Sequence, residues 1–334
     1  MTSPPSEPPA PTPQAPCRVL SLDGGGAKGF YTLGVLKEIE AMVGRPLWQC
    51  FDLIFGTSTG AIIAALLALG YKVDEIHALY KNHVPTIMRR RTARGRSEAL
   101  ADLAKTVFTD RTFTHVKTGV GIVATRWLLE KPMIFKGSVT QAHGRHSTFV
   151  QGFGCSIADA VQASCSAYPF FKKSIITTAD GHEVELIDGG YCANNPTLYA
   201  IADAVNAFEQ PRSNIRVVSV GVGVYPEPKQ WATPKRWVSA VAKQFIGIQL
   251  LQKTLNVNTT SMEQLRSILF NDIQTVRINE TFERPEMATD LMESDLKKLN
   301  MLYQRGGESF AHHEPALKEL FGIPHTSHPT SGAR

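Results

Sequence analysis

The sequence G-T-S-T-G at residues 56–60 places a serine where it could act as a nucleophile. It follows the apolar run Phe51–Phe55, which predicts a buried strand, and precedes the apolar run Ala61–Leu69, which predicts a helix. In a strand–turn–helix of this kind, Gly56 and Gly60 permit a tight turn that holds the serine hydroxyl at the edge of the sheet. The short pattern is common by chance, but this setting makes Ser58 a candidate catalytic nucleophile.

A glycine-rich loop, L-D-G-G-G-A-K-G at residues 22–29, lies between another predicted strand and helix. The three consecutive glycines, Gly24, Gly25 and Gly26, leave the backbone N–H groups uncovered by side chains. The following helix N-terminus adds partial positive charge, so the loop suits an anion. An oxyanion hole is the functional interpretation, and a purely structural turn is the alternative that the loop by itself leaves open.

Two nucleotide-binding interpretations of the same loop are less well supported. Gly24, Gly26 and Gly29 fit the G-x-G-x-x-G pattern, which would make the protein a nucleotide-binding oxidoreductase. That pattern needs an acidic residue at the end of the next strand, but here the strand ends in G-T-S. A phosphate-binding P-loop needs Ser or Thr after the lysine, whereas Lys28 is followed by Gly29.

A serine nucleophile requires a general base, and the sequence points to a carboxylate. None of the ten histidines lies in a loop after a predicted strand near the chain's end, where an α/β-hydrolase would place its base. In E-L-I-D-G-G, Asp188 ends a predicted strand directly before Gly189 and Gly190. Taken alone, D-G-G indicates a turn. Together with the serine turn and the glycine loop, it makes Asp188 the candidate base.

The elements that must position these residues alternate along the chain. The predicted strands are Arg18–Leu22, Phe51–Phe55, Val120–Ala124, Met133–Phe135, Val184–Ile187, Val217–Val222 and Ile273–Ile278. The predicted helices begin near Lys28 and cover Ala61–Leu69, Ile157–Ser164 and Thr197–Phe208, with helical patterns dominating from Arg236 onward, and His83 to Arg111 is a polar stretch. This alternation predicts an α/β fold whose mostly parallel sheet carries helices on both faces.

The chain lacks a clear internal linker, so we expect one catalytic domain over residues 17–323. Its chemical motifs fall within 18–225, and its helical C-terminal part covers 236–323. Seven prolines in residues 1–16 predict a disordered tail, and residues 324–334 predict a second flexible one.

The composition limits the classes of protein that the chain can be. Of its 334 residues, 43% are hydrophobic and 19% charged, which provides a sizeable core. The net charge of +5 is too small to indicate a nucleic acid polymer as partner, and it suits an anionic membrane surface or an ordinary enzyme equally. Five scattered cysteines without a C-x-x-C motif predict free thiols in a reducing compartment.

Localisation and ligands follow from similar reasoning. The longest apolar stretch, Ala61 to Leu69, is much shorter than the roughly 20 residues that span a bilayer. The N-terminus lacks the basic start and apolar run of a signal peptide, so we expect a cytoplasmic protein. His143 and His146 are too close and too isolated for a metal site. We expect neither a metal nor a cofactor.

The glycine loop, the serine turn and D-G-G, in that order, closely resemble the patatin-like phospholipase family. The segments A-S-C-S-A-Y-P-F-F at residues 163–171 and D-G-G-Y-C-A-N-N-P at residues 188–196 are also similar. The resemblance implies a three-layer α/β/α fold and hydrolysis of membrane phospholipid esters by a Ser–Asp dyad. Ser58 would be the nucleophile, Asp188 the base, and the N–H groups of Gly24, Gly25 and Gly26 the oxyanion hole. Lys28 occupies a position where the family often has arginine.

The size and motif layout also resemble bacterial patatin-like effectors of anti-phage signalling, which a cyclic nucleotide activates. This resemblance implies a latent enzyme switched on by a cyclic dinucleotide, acting peripherally at the inner membrane. A constitutive lipid acyl hydrolase is the alternative. The densest positive charge is a run of five arginines: Arg89, Arg90, Arg91, Arg94 and Arg96. It predicts either a solvated loop or a site for headgroups or the activator's phosphates.

One further segment could contact lipid. Trp231, Trp237 and Phe245 lie among lysines and apolar residues around a predicted helix. The pattern fits a membrane-docking face, although a helix that packs into the core is the more common cause.

Overall fold

The computed structural model describes residues 15–144, 146–228 and 238–324, with only the backbone described for 238–245. Its sheet has eight strands: β1 (Cys17–Leu22), β2 (Leu53–Thr57), β3 (Gly119–Arg126), β4 (Lys131–Lys136), β5 (Ser174–Thr177), β6 (Glu183–Asp188), β7 (Ile215–Val220) and β8 (Gln274–Ile278). They follow the order β5-β6-β3-β2-β1-β7-β8, with β4 also paired to β3. The pairs among β3, β2, β1, β7 and β8 are parallel, which confirms the predicted mostly parallel sheet.

Strand β3 has three partners, and this arrangement determines where the site forms. Antiparallel β4 covers one edge of β3 along residues 121–126. On the other edge, parallel β2 pairs with residues 119–123 and antiparallel β6 pairs with residues 124–126. A strand has only two edges, so β2 and β6 share one of them in tandem. The carboxyl ends of β2 and β6 therefore meet head to head.

Nine helices pack on this sheet within the described residues: α1 (Gly29–Val43), α2 (Thr59–Ala68), α3 (Val73–Met88), α4 (Ala93–Phe108), α5 (Ile157–Ser164), α6 (Gly190–Ala193), α7 (Thr197–Asn206), α8 (Val238–Leu269) and α9 (Leu296–Phe321). Helix α2 is buried almost all round, as its uninterrupted apolar sequence predicts. Helix α9 packs along α1. None of the helices within the described residues is long and apolar enough to span a membrane.

The polar stretch between His83 and Arg111 contains more regular structure than the sequence suggested. The end of α3 and all of α4 lie there, each burying one narrow face through residues such as Val84, Ile87, Leu100 and Leu103. Charged residues occupy the other faces, so the average hydrophobicity hides a helical period that is present. Short strand β5, which alternates buried and exposed residues, was also not predicted.

Candidate active site

Ser58 and Asp188 lie on either side of the junction between β2 and β6. Thr57, the last residue of β2, is paired with Val123, and Asp188, the last residue of β6, is paired with Ala124. The next residue after Thr57 is Ser58, so neighbouring positions on β3 set the nucleophile opposite the base. Both predicted residues are therefore brought together, although 130 positions separate them in sequence.

The serine turn holds Ser58 in a strained conformation. Its φ of 52° and ψ of −122° lie outside the regions that residues with a side chain favour. The Ser58 N–H donates to the Ser164 hydroxyl at 2.9 Å, and that hydroxyl donates to the Val123 carbonyl at 2.5 Å. At Gly60 a Cβ would lie 2.3 Å from the Leu22 carbonyl oxygen, so the turn presses directly on β1. The strain is thus maintained by contacts on two neighbouring strands.

Asp188 is buried, which suits a carboxylate that exchanges a proton with a hydroxyl. Burial raises the pKa of Asp188 to about 6, while hydrogen bonds from the Gly190 N–H and from Ser58 act in the opposite direction. The Gly190 N–H donates to Asp188 Oδ1 at 2.7 Å. A carboxyl group with this pKa is ionised near neutral pH yet basic enough to take a proton from an attacking serine.

The glycine loop offers two backbone N–H groups to the site rather than three. The Gly24 N–H donates to the Asn194 carbonyl oxygen at 2.9 Å, so it is not available to an oxyanion. Our expectation that Gly24 contributes a donor therefore needs correction. Neither Gly25 nor Gly26 has an acceptor for its N–H among the described residues, and both glycines line the same pocket as Ser58.

Distant parts of the chain hold this loop in place. Asp23 forms a two-armed ion pair with Arg277, with distances of 2.9 and 2.5 Å. The Ala27 N–H donates to the Leu291 carbonyl at 3.0 Å, and a Cβ on Gly26, whose φ is +58°, would lie 2.3 Å from the same oxygen. The remaining motif glycines also lie in tight contacts around the site: Gly29 against Thr59, Gly56 against Gly60, Gly189 against Val123 and Gly190 against Leu255.

Apart from its catalytic groups, the pocket in front of Ser58 is lined almost entirely by apolar side chains, as an acyl chain would require. Its floor and walls include Ile62, Ile87, Met88, Leu100, Leu103 and Phe171. The cavity measures about 60 Å³, far below the roughly 300–1,000 Å³ of sites that hold a ligand. The pocket is therefore apolar and narrow.

Helix α8 forms one wall of the pocket. Its Leu251 and Leu255 line the pocket beside Ser58 and Asp188. The helix is fastened to the segment after β6 by side-chain hydrogen bonds: Asn194 N–H donates to Asn258 Oδ1 at 2.8 Å, and Asn194 Nδ2 donates to Thr259 Oγ1 at 2.7 Å. Sequence reasoning did not identify this wall or the role of Asn194, because both depend on contacts between distant segments.

Two charged residues near the site have roles that the sequence left undefined. Lys28 is buried, and this burial lowers the pKa of its amine to about 8, with the carboxylate of Asp290 acting in the opposite direction. In the arginine run, Arg96 is also buried: it donates to the carbonyls of Phe170 at 2.8 Å and Arg90 at 2.6 Å. Arg96 therefore supports the backbone and is not free to bind a ligand, in contrast to our expectation for the whole run.

Of the other candidates, Cys165 lines the pocket beside Ser58 and Asp188, while several others lie outside the described residues. His143 bonds the buried carboxylate of Asp203 at 2.7 Å, beside Lys136. Within the described parts of the chain, no group of three or more His, Cys, Asp or Glu is arranged to hold a metal ion. All five cysteines are free, and burial raises the pKa of Cys165 well above its usual value. Trp231 and Trp237, with the Phe245 side chain, fall outside the described residues.

Comparison with known proteins agrees with this architecture. A family model described as patatin-like phospholipase matches residues 20–201, more than half of the chain. The chain belongs to the patatin-like phospholipases, a class of ester hydrolases.

Individual relatives within this class are named for activation by nucleotides. Over 304 residues the chain is 67% identical to the cUMP-AMP-activated phospholipase of Escherichia coli, and the alignment covers 91% of this chain and 93% of that protein. It is 29% identical over 234 residues to the cGAMP-activated phospholipase of Vibrio cholerae, covering 61% of this chain and 63% of the relative. A cGAMP-activated phospholipase of Pseudomonas aeruginosa is also 29% identical, over 216 residues, with 61% of each chain covered.

Proposed function

We propose that this protein hydrolyses acyl esters of membrane phospholipids, with Ser58 as nucleophile and Asp188 as general base, and that a cyclic dinucleotide activates it. The observation that carries the catalytic part is the head-to-head junction of β2 and β6, which sets a strained serine against a buried carboxylate at an apolar pocket. The same pair explains why no histidine is needed.

The reaction follows from the positions of these groups. Asp188 takes the Ser58 proton as the serine oxygen attacks the ester carbonyl carbon. The N–H groups of Gly25 and Gly26 donate to the oxyanion, and one such donor is typically worth about 3–4 kcal/mol. Asp188 then returns the proton to the departing lysophospholipid alkoxide. A water molecule gives a proton to Asp188, attacks the acyl-enzyme and releases the fatty acid, and Ser58 regains its proton.

The narrow pocket supports latency. A cavity of about 60 Å³ is small for an acyl chain, so we expect Leu251 and Leu255 of α8 to move when substrate enters. We take the activator to be a cyclic dinucleotide of the cUMP-AMP type, since the Escherichia coli relative named for that activation is 67% identical along most of the chain. A ligand that raises a rare active population 100-fold must favour it by about 2.7 kcal/mol.

Ser58→Ala tests the catalytic part directly. With phosphatidylglycerol-containing vesicles and 3′,3′-cUMP-AMP, we expect this variant to release fatty acid at least 1,000-fold more slowly than the wild type, because only the nucleophile is lost. A fluorophosphonate probe should label the wild type and not the variant. Ser213→Ala, at an exposed serine, is the matched control and should keep full activity.

Two results would contradict parts of the proposal separately. Wild-type turnover by Ser58→Ala, with its fold verified by circular dichroism, would remove Ser58 from the mechanism. Equal turnover with and without each of a panel of cyclic dinucleotides would remove the activation while leaving the hydrolase assignment intact.

A further inference from the structure

The turn between β3 and β4 exposes three large apolar side chains in a row. Trp127, Leu128 and Leu129 are 38%, 81% and 55% exposed, and with Glu130 they form the hairpin tip, residues 127–130. Single exposed apolar residues are ordinary on a protein surface, but three consecutive ones at a projecting turn are not. No described residue covers them, so the tip is a candidate docking surface.

The hairpin tip is rigid and lies at the same end of the sheet as the catalytic dyad. Arg126 and Lys131 are paired across the base of the turn, and the Trp127 N–H donates to the Glu185 carbonyl at 2.9 Å. The tip extends from the carboxyl end of β3, and β2, which is parallel to β3, ends at this same side just before Ser58. The tip and the reaction site therefore lie toward the same end of β3.

Side-chain contacts, partly through the buried Phe170, lead from the tip to helix α8. The ring of Trp127 lies 5.5 Å from that of Tyr168. Two residues along, Phe170 touches α8, where a Cβ on Gly247 would be 3.1 Å from its ring. On the outer side of α8, Ile246 and Leu250 are 57% and 65% exposed.

The same helix turns Leu251 and Leu255 toward the pocket. Its two faces therefore connect the outer apolar surface to the acyl site.

Charged residues around the tip favour an anionic lipid surface over a dry protein interface. Arg126 and Lys131 flank the tip, and the Lys173 amine lies 4.0 Å from the centre of the Trp127 ring. Glu130 lies within the tip, and Glu185 pairs with Lys173 at 3.1 Å, so positive charge remains in excess. Tryptophan, tyrosine and lysine beside exposed leucines are the combination that occupies the boundary between lipid headgroups and acyl chains.

We propose that the hairpin tip, together with Tyr168 and the outer face of α8, is the surface by which this protein docks on an anionic phospholipid bilayer. The assignment rests on the proposed function, since it explains how an enzyme with a narrow apolar pocket reaches an acyl chain that remains in a membrane. Insertion of Leu128 and Leu129 among the headgroups sets the covering helix α8 against the bilayer and directs the pocket toward the lipid.

Vesicle binding tests the surface independently of catalysis. In the Ser58→Ala background, which leaves vesicles intact, Leu128→Asn/Leu129→Asn should lower the partition coefficient onto phosphatidylethanolamine–phosphatidylglycerol vesicles at least tenfold in co-sedimentation. Val139→Asn is the matched control, because this exposed apolar residue follows the opposite end of β4. It should bind vesicles like the parent. Lys131→Gln should weaken binding to anionic vesicles and leave binding to phosphatidylcholine vesicles unchanged.

Activity provides the second measurement. With Ser58 restored and cUMP-AMP present, the double variant should hydrolyse vesicle lipid at least tenfold more slowly and a water-soluble short-chain ester within twofold of the wild-type rate. Unchanged vesicle binding would overturn the docking surface even if the enzyme is a phospholipase. An equal loss of vesicle binding in Val139→Asn would also overturn the docking surface. So would a Leu128→Asn/Leu129→Asn variant that dissociates an oligomer in sedimentation velocity but still binds vesicles. An inactive wild type that nevertheless binds through the tip would refute only the proposed function.

Discussion

The two walls of the catalytic pocket are built in different ways. The wall that carries the serine turn and the glycine loop is held by close packing of backbone against backbone. Gly60 packs against the Leu22 carbonyl, and Gly26 packs against the Leu291 carbonyl. The opposite wall, α8, is held by side chains: leucines that fill the pocket and a few amide and hydroxyl hydrogen bonds. Backbone contacts of this kind cannot relax without unfolding, whereas side-chain contacts can be exchanged for others.

The two walls therefore have different tasks: one positions the catalytic atoms, and the other controls entry of substrate. Catalytic atoms must be placed to within a fraction of an ångström, and the rigid wall provides that precision. A cover must open, and the α8 wall has contacts that a ligand or a lipid surface can replace. The following substitutions test this division, from the largest expected effect to the smallest.

Asp188→Asn should have the largest effect on the rate of ester hydrolysis. The amide cannot accept the serine proton, so ester hydrolysis should fall by at least about 100-fold. In the wild type, kcat/KM should rise with pH through about 6 and level off above it, as Asp188 ionises. Histidine variants at His115 and His182 should keep most activity. An acidic limb that persists unchanged in Asp188→Asn would contradict the assignment of the base.

The same substitution should stabilise the fold above pH 6. Because the pKa of Asp188 is raised from 3.8 to about 6 in the folded protein, the folded state binds more protons than the unfolded state between these values. Stability is therefore lost as pH rises through that window, by about 3 kcal/mol in total. Thermal unfolding should show a higher Tm for Asp188→Asn than for the wild type at pH 8, and no gain at pH 3.

Gly60→Ala tests whether the wall that carries the serine turn can accommodate an added methyl group. Its new methyl group would lie 2.3 Å from the Leu22 carbonyl oxygen, so we expect a loss of at least about 3 kcal/mol in unfolding free energy. Gly307→Ala is the matched control in helix α9, where the nearest atom is 3.8 Å away. It should be neutral or stabilising by up to about 1 kcal/mol. Equal urea midpoints for the two variants would refute the rigid-wall description.

Arg96→Gln tests the hydrogen bond that holds the Phe170 backbone next to helix α8. The arginine bonds the Phe170 carbonyl, and the ring of Phe170 contacts α8, so its loss leaves a buried acceptor unpaired. A destabilisation of about 2 kcal/mol is expected in urea unfolding. Arg94→Gln changes an exposed arginine whose one ion pair within the described residues is with Glu98, and it should change stability by less than about 0.5 kcal/mol. Equal effects would mean that the two arginines do not differ as the structure indicates.

Leu255→Ala should increase access to the pocket. Removing this side chain enlarges the narrow pocket, so hydrolysis of a short-chain ester without nucleotide should increase about tenfold. Val257→Ala, on the exposed side of the same helix, should leave that rate unchanged. A decrease in Leu255→Ala, or an equal increase in Val257→Ala, would show that α8 is not the cover.

The features that the sequence predicted best are those that depend on residues close together in the chain. The apolar runs of β1, β2 and β7 and the helix of the serine turn were placed within about two residues, because full burial requires uninterrupted apolar sequence. Helix α4 was missed because it buries only a narrow stripe. The positions of Ser58 and Asp188 were predicted, and the structure brings them together.

What depends on distant contacts could not be predicted in the same way. The sequence predicted that Asp188 ends a strand, but not that this strand, β6, runs antiparallel to β3 and meets β2 end to end. Likewise, Gly24 is excluded as a donor by Asn194, 170 residues away. The Leu251–Leu255 cover also lies far along the chain. No local sequence pattern indicates any of these three contacts.

The long-range anchors of the glycine loop have a consequence during translation. The loop is tied to Arg277 through Asp23 and to the Leu291 carbonyl through Ala27. Chains emerge from the ribosome N-terminus first, so Ser58 and Asp188 appear while Arg277 and Leu291 are still to be added. Until then the N–H groups of Gly25 and Gly26 are not held in place. A nascent chain therefore carries Ser58 and Asp188 before the contacts that hold the proposed oxyanion donors exist, and we expect hydrolysis to begin only when synthesis is almost finished.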